Sequence, residues 1–345
     1  MNLIRLSLLA LLGLPASGAF AECAKIPNPV ISVELPSRYE TGSTTRSEID
    51  EAANARVNEV LKPVDTFVSV LARQTTDALR LARLKEADKA RVLADCVMAG
   101  LERWAKANAL SRLGSVNARL AIPSRLSGAA FAFGLAAPLA TRNPERTKLV
   151  GGWLVKRAND TVKFFDDPKT PPRAARNNLR MWAALSVLRT GIDAKDKVLI
   201  RWAENSFRAA MCSANKDGSL PLEMERGPLA LHYQLHAIQP IVVGVALLRV
   251  QGIDLRKTCD NAVARIVGFT LAAVDKPALA SAHAGVPQKQ KPGKAALEAF
   301  ELAWIPAWQS LSLQPNLKNY PPPKMVLSNS KLGGNQVEIW EKRKP

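Results

Sequence analysis

From Pro228 to Val250 the chain is apolar on nearly every side of the helix it would form. A helix of that kind has no face to give to water, so other helices must enclose it. Pro240 should kink it, because proline removes a backbone donor in mid-helix. A second such helix grows out of Arg173 to Arg189, entered from Pro171-Pro172. Two short segments, Thr190-Gly191-Ile192-Asp193 and Gln251-Gly252-Ile253-Asp254, repeat one pattern. Glycine suits the left-handed residue that closes a helix and aspartate the cap of the next. Each segment is expected to be a tight hairpin joining an inner helix to an outer one. Hairpins in series, some with wholly apolar members, imply an all-α fold in which inner and outer helices wind into an α/α toroid.

The remaining periodicity agrees with that class. One helix is expected from about Thr45, with Ile49, Ala53, Val57, Val60 and Leu61 at helical spacing, broken or kinked by Pro63 and continuing to about Ala82. Others are expected over Glu86 to Leu110, Ser127 to Ala140, from an Asn143-Pro144-Glu145 start, over 194–214, Asn261 to Val274 and Ala295 to Leu313. Residues 22–44 form a proline-bearing lead-in, 219–227 an extended connection and 275–293 a loop. A short strand-like run closes the chain at Trp340. No strand pattern of any length interrupts the series.

Residues 1–21 stand apart. They carry Arg5, an apolar run from Leu6 to Leu14 and Ala19-Phe20-Ala21, the pattern of a secretory signal peptide cleaved after Ala21. The apolar run is too short to serve as a membrane anchor, and no later segment offers an unbroken apolar stretch long enough to span a bilayer. Residues 22–345 are then a single domain, exported to the periplasm and expected to act as a monomer. In an exported chain the four cysteines, Cys23, Cys96, Cys212 and Cys259, imply two disulfides, with three pairings open. The formal net charge is +18. Such a charge favours a polyanionic partner. For an exported protein that is more often an acidic polysaccharide than a nucleic acid, and neither a nucleic acid nor a membrane partner is expected.

Candidate chemistry gathers on the two apolar helices. Asn177 and Asn178 open the first of them, flanked by Arg176 and Arg180. One asparagine can cap the helix, leaving the other with a free carbonyl and amide at a helix start, where anions are favoured. On the second, His232 and His236 lie four apart and so share a face, with Tyr233 beside them. Imidazole and phenol are both credible proton carriers. The pair could also hold a metal, yet no third ligand is evident because His283 falls in the expected loop, so no metal or cofactor is assigned. Arg226, and Arg38 with Tyr39 in the lead-in, are candidate carboxylate clamps. No nucleophile elbow or phosphate-binding glycine loop is present.

Asn177-Asn178 with Trp182 four positions on resembles the Asn-Asn-His-x-x-Trp motif of the alginate lyase (poly-mannuronate lyase) family. Ser37-Arg38-Tyr39-Glu40 resembles that family's Ser-Lys-Tyr-Glu, Cys96 to Leu110 and Gly218 to Tyr233 are similar in the same order, and Leu332-Gly333-Gly334 resembles its closing Leu-Gly-Gly. The resemblance implies an α/α toroid with a cleft and β-elimination on a uronic-acid polymer. It matches Asn178 to a carboxylate-neutralising asparagine and Arg38 to a substrate-contacting lysine. Leu179 stands in place of the motif histidine, Leu229 in place of an arginine, and His236 in place of a tyrosine, while Tyr233 matches. The expectation is a polysaccharide lyase in which Asn178, with Arg226 or Arg38, neutralises the carboxylate and His236, Tyr233 and His232 move protons. Asn177, Tyr39 and Trp182 complete the substrate-binding set. The alternative is an inactive lyase-fold protein that binds acidic exopolysaccharide during export.

Overall fold

A computed structural model describes residues 23–340. The expected signal peptide therefore lies outside the described residues. The chain forms α1 (Glu51–Arg83), α2 (Ala87–Lys106), α3 (Val116–Ala136), α4 (Pro144–Asp166), α5 (Asn178–Ala194) and α6 (Lys197–Cys212). It continues through α7 (Pro221–Met224), α8 (Ala230–Val250), α9 (Thr258–Asp275), α10 (Ala278–Ala284), α11 (Ile305–Ser310) and α12 (Gln336–Trp340). The only strands among the described residues are two-residue pairs: β1 (Ser32–Val33) parallel to β2 (Arg112–Leu113), and β3 (Ser328–Asn329) antiparallel to β4 (Gly334–Asn335).

The inner helices are those whose sequences allow no wet face. In α3, α5 and α8 most positions are buried, including many of the glycines and alanines that let neighbours approach. Helix α5 packs on α3, α4, α6 and α8, and α8 packs on α5 and α9, which gives the toroid its alternation of inner and outer members. By length and composition 227–250 could cross a membrane, contrary to the sequence expectation for that stretch, yet most of it is buried inside the protein. Enclosure by neighbouring helices meets the requirement that the sequence imposed.

Several boundaries differ from the sequence expectation, each for a local reason. Helix α1 runs unbroken through Pro63, where Leu61, Val64 and Phe67 are all buried. Packing on both sides outweighs a proline cost of about 3 kcal/mol. Helix α5 passes through Gly191 and Asp193 to close at Lys195 in the left-handed region, and Asp196 caps α6. Gly191 is needed for closeness: an added Cβ would sit 2.9 Å from Leu199 Cβ. Asp193 is free for a different task, an ion pair with Arg189. Regular helix in α9 begins only past Cys259, Asp260 and Asn261, which have positive φ. The connection 219–227 contains α7, the loop 275–293 contains α10, and the expected final helix shrinks to α11 between short 3₁₀ turns. The strand-like run ending at Trp340 is helix α12.

Two disulfides form, Cys23–Cys96 and Cys212–Cys259. The first ties the start of the lead-in to α2, and the second ties the end of α6 to the irregular opening of α9.

Candidate functional site

The paired asparagines divide their duties. Asn177 is the cap, its Oδ1 accepting from the Leu179 N–H at 3.0 Å. The surplus amide belongs to Asn178, which is buried, and the anion it meets is internal. Glu223 of α7 accepts from the Asn178 backbone N–H at 2.7 Å and from Asn178 Nδ2 at 2.8 Å. The helix start attracts a carboxylate as expected, but the protein supplies it. Burial is the main influence on Glu223 and pushes its carboxyl up to about 7, against the hydrogen bonds from Asn178 that favour ionisation. A raised acid keeps its proton in the fold after the unfolded chain has lost it, so its stabilising contribution is complete below about pH 4.5 and is lost as the pH rises through 7. The unfolding free energy of the protein, minus that of Glu223→Gln, should therefore fall by about 3 kcal/mol between those pH values. Thermal unfolding of both proteins across that range measures it, and a flat difference contradicts it.

Asn178 Oδ1 faces His236 of α8 at 3.2 Å, and Trp182 Nε1, one turn along α5, donates to His236 Nδ1 at 2.9 Å. Indole can only donate, so Nδ1 is the accepting nitrogen and the neutral ring carries its hydrogen on Nε2. No described group pairs with Nε2. Burial, then the charges of Lys331, His232, Arg226 and Arg125, hold this imidazole well below its ordinary pKa and keep it neutral. The neutral His236, expected from the sequence to move protons, therefore has an N–H donor at Nε2.

His236 lines a cleft of about 630 Å³ bounded also by Arg73 and Asp77 of α1, Trp182 and Gln239, and a C-terminal segment that includes Asn329 and Lys331. Lys331 was not legible as a site residue. Its Nζ lies 6.0 Å from the centre of the Trp182 ring, and it makes no ion pair with any described residue. Burial and the neighbouring Arg125 and Arg38 lower its pKa to about 8, opposed by Asp65.

The tyrosines sit next to the cleft. Tyr39 and Tyr233 hydroxyls share a hydrogen bond of 2.6 Å, and the Tyr233 ring is 6.4 Å from that of His236. Arg226 stacks on Tyr233 at 3.5 Å and donates to the carbonyls of Thr45 and Arg46 and to Tyr39. With those partners, made through Nε and Nη2, it holds the lead-in onto α8. Burial raises the Tyr233 phenol, so it remains a proton donor. His232 packs edge-on against Tyr233, and burial with Arg226 lowers its pKa. His283, placed by the sequence in a loop, lies on α10 with its Nε2 2.6 Å from Asp217, away from the other histidines.

The alginate lyase family model matches residues 71–280. The chain belongs to the alginate lyase family. A polysaccharide lyase of Stenotrophomonas maltophilia is 30% identical over 289 residues, covering 83% of this chain and 82% of that protein. An alginate lyase of Azotobacter vinelandii is 27% identical, covering 94% and 85%. The crystal structure of alginate lyase A1-III from Sphingomonas species A1 superposes with a TM-score of 0.74 at 23% identity, over 92% of this chain and 86% of that one. At that identity the likeness speaks for the fold, the α/α toroid read from the apolar helices. A histidine-to-alanine variant of the same enzyme has been solved with a tetrasaccharide.

Within this family member Leu179 and Leu229 have distinct settings. Leu179 packs with Phe164, Phe165 and Trp202 in a small apolar cluster. Leu229 stands half-buried at the turn that opens α8. Neither offers a polar group to the cleft.

Proposed function

We propose that this protein is an exported polysaccharide lyase that cleaves an acidic, uronic-acid-containing polymer by β-elimination. The observation that carries the reading is the cleft itself. In one wall it joins Trp182 and the Trp182-bonded His236 to Lys331, with Arg38 and Arg125 close to that lysine and no carboxylate paired to it. Such a site suits a uronate. The ring carboxylate needs neutralising before the proton on C5 can be removed, and preoriented donors in a water-poor cleft do that most effectively. His236 Nε2–H is the donor placed for it, with Arg38 as the cationic partner. Asn178 stands behind His236 and is itself held by Glu223, while Trp182 holds the ring through Nδ1. Tyr233, kept protonated and paired with Tyr39, is the acid for the departing O4. Periplasmic residence agrees with the two disulfides and the basic charge.

The test is incubation with a panel of uronate polymers while following ultraviolet absorbance from the new C4–C5 double bond. Absorbance on at least one polymer is expected; none on any polymer, from folded protein, overturns the reading. Leu179 and Leu229 favour a second reading, binding without turnover. It predicts salt-sensitive polyanion binding and no absorbance.

A further inference from the structure

We infer that Lys331 is the general base of this site, its amine taking the C5 proton of the bound uronate. The inference rests on the lyase reading above and assigns the one role which that reading leaves without a residue. His236 Nδ1 is occupied by the Trp182 indole and Nε2 carries a hydrogen, so the neutral ring has no lone pair to offer the substrate. Tyr233 is held protonated. His232 is not among the residues that line the cleft, and Leu179 and Leu229 carry no titratable group. Asp77, the carboxylate on the cleft wall, is paired with Arg80 at 3.6 Å, which leaves Lys331 as the cleft side chain that can accept a proton and has no ion-pair partner among the described residues.

Its position is built by the fold. Asn329 Oδ1 accepts from the Lys331 backbone N–H at 3.0 Å, and Asn329 Nδ2 donates to Gln239 of α8 at 2.8 Å. Leu332 is buried, and the Gln336 side chain binds the carbonyls of Leu332 and Gly334. On the other side, Ser330 lies against Gly128 of α3, where a Cβ would come 2.4 Å from its carbonyl oxygen. The lysine stem therefore starts from backbone fixed to α3 and α8, beside the Trp182 ring.

The charges around the amine favour its neutral form. Arg125 from α3 and Arg38 from the lead-in face it, and His236 of α8 and Trp182 of α5 bring no negative charge. Of the carboxylates on α1, Asp65 is held by Arg125 at 2.8 and 3.0 Å and Asp77 is paired with Arg80 at 3.6 Å, while Arg73 adds a further positive charge to the same wall. A buried lysine repelled by arginines is how a neutral amine base is obtained near neutral pH.

The step balances without any further reactant. The C5–H bond breaks and an N–H bond forms on Lys331. The electron pair becomes the C4–C5 double bond and the C4–O4 bond breaks. O4 takes the Tyr233 hydroxyl proton. Lys331 leaves as ammonium and Tyr233 as phenolate, and proton exchange through solvent resets both.

Three proteins compared on the polymer cleaved by the unaltered enzyme test this. Lys331→Met and Lys331→Arg should both fold, since methionine fills the stem's space and arginine keeps the charge. Both should lose at least 100-fold in kcat, arginine included because it cannot shed its proton, with oligosaccharide affinity changed less than tenfold. For the unaltered enzyme, kcat/KM should rise with pH and level off above about 8. The inflection in kcat should lie higher, because the bound carboxylate stabilises the ammonium. Turnover by either variant within tenfold of the unaltered enzyme overturns the assignment and leaves the lyase reading standing. A rising limb centred below pH 6 also overturns it, in favour of His236. Absence of product from the unaltered enzyme on every polymer overturns the lyase reading, and the base assignment with it.

Discussion

His236→Ala is expected to reduce kcat by about 10²–10³-fold with little change in polymer affinity, the loss typical of removing one preoriented donor from a site of developing negative charge. The reason is geometric. Trp182 fixes the ring tautomer through Nδ1, so Nε2 carries the hydrogen on a residue that lines the cleft, and a neutral ring is retained because burial and the adjacent cations oppose protonation. Alanine removes that donor and leaves the Trp182 indole N–H without its acceptor, which adds about 1–3 kcal/mol of destabilisation. Steady-state kinetics and a thermal melt on the same preparation separate the two effects. Retention of kcat within tenfold contradicts the donor role. Unchanged polyanion binding, where the unaltered protein has no turnover to lose, would instead favour the binding-only reading.

Gly334→Ala should cost about 4 kcal/mol of stability, summing strain at positive φ and overpacking. Gly334 has φ of 111°, and a Cβ there would sit 2.7 Å from the Ala72 carbonyl oxygen and 2.8 Å from Thr76 Cγ2 on α1. Gly333, at φ of 94°, is pressed against Phe131 in the same way. These glycines seat the C-terminal segment on α1 and α3, and Lys331 lies just before them. The variant should therefore lose activity beyond what its melting temperature explains. Chemical denaturation measures the first effect; a loss below 1 kcal/mol contradicts it. The Leu-Gly-Gly resemblance thus has a physical cause: it is the hinge-free mount of one wall of the cleft.

How much of this was legible follows from what sequence patterns encode. Helices apolar on every side announced enclosure, and the toroid followed from their alternation with amphipathic partners. Asn177 as cap and the meeting of Asn178, Trp182 and His236 were within reach because each is placed by helical spacing on a long, regular element. Boundaries were lost where packing overrode local propensity, as at Pro63 in the buried part of α1 and at Gly191, where close approach to α6 mattered more than helix termination. Glu223 and Lys331 were missed for a different reason. Each is an isolated charged residue in a short irregular segment, brought to the site by tertiary contacts with α5 and α8 that no periodicity records. A carboxylate between Leu222 and Met224 and a lysine directly before Leu332-Gly333-Gly334 were the available signals. Arg226, read from the sequence as a carboxylate clamp, has a structural duty that no spacing reveals: its carbonyl and aromatic partners make it a strut.

The measurement that bears most directly on the central claim is the mass of the fragments released from a uronate oligosaccharide. β-Elimination breaks the bond without adding water, so the two fragments should sum to the mass of the substrate, one of them carrying an unsaturated terminal ring. Fragments that sum to the substrate plus one water would mean hydrolysis and would contradict the account.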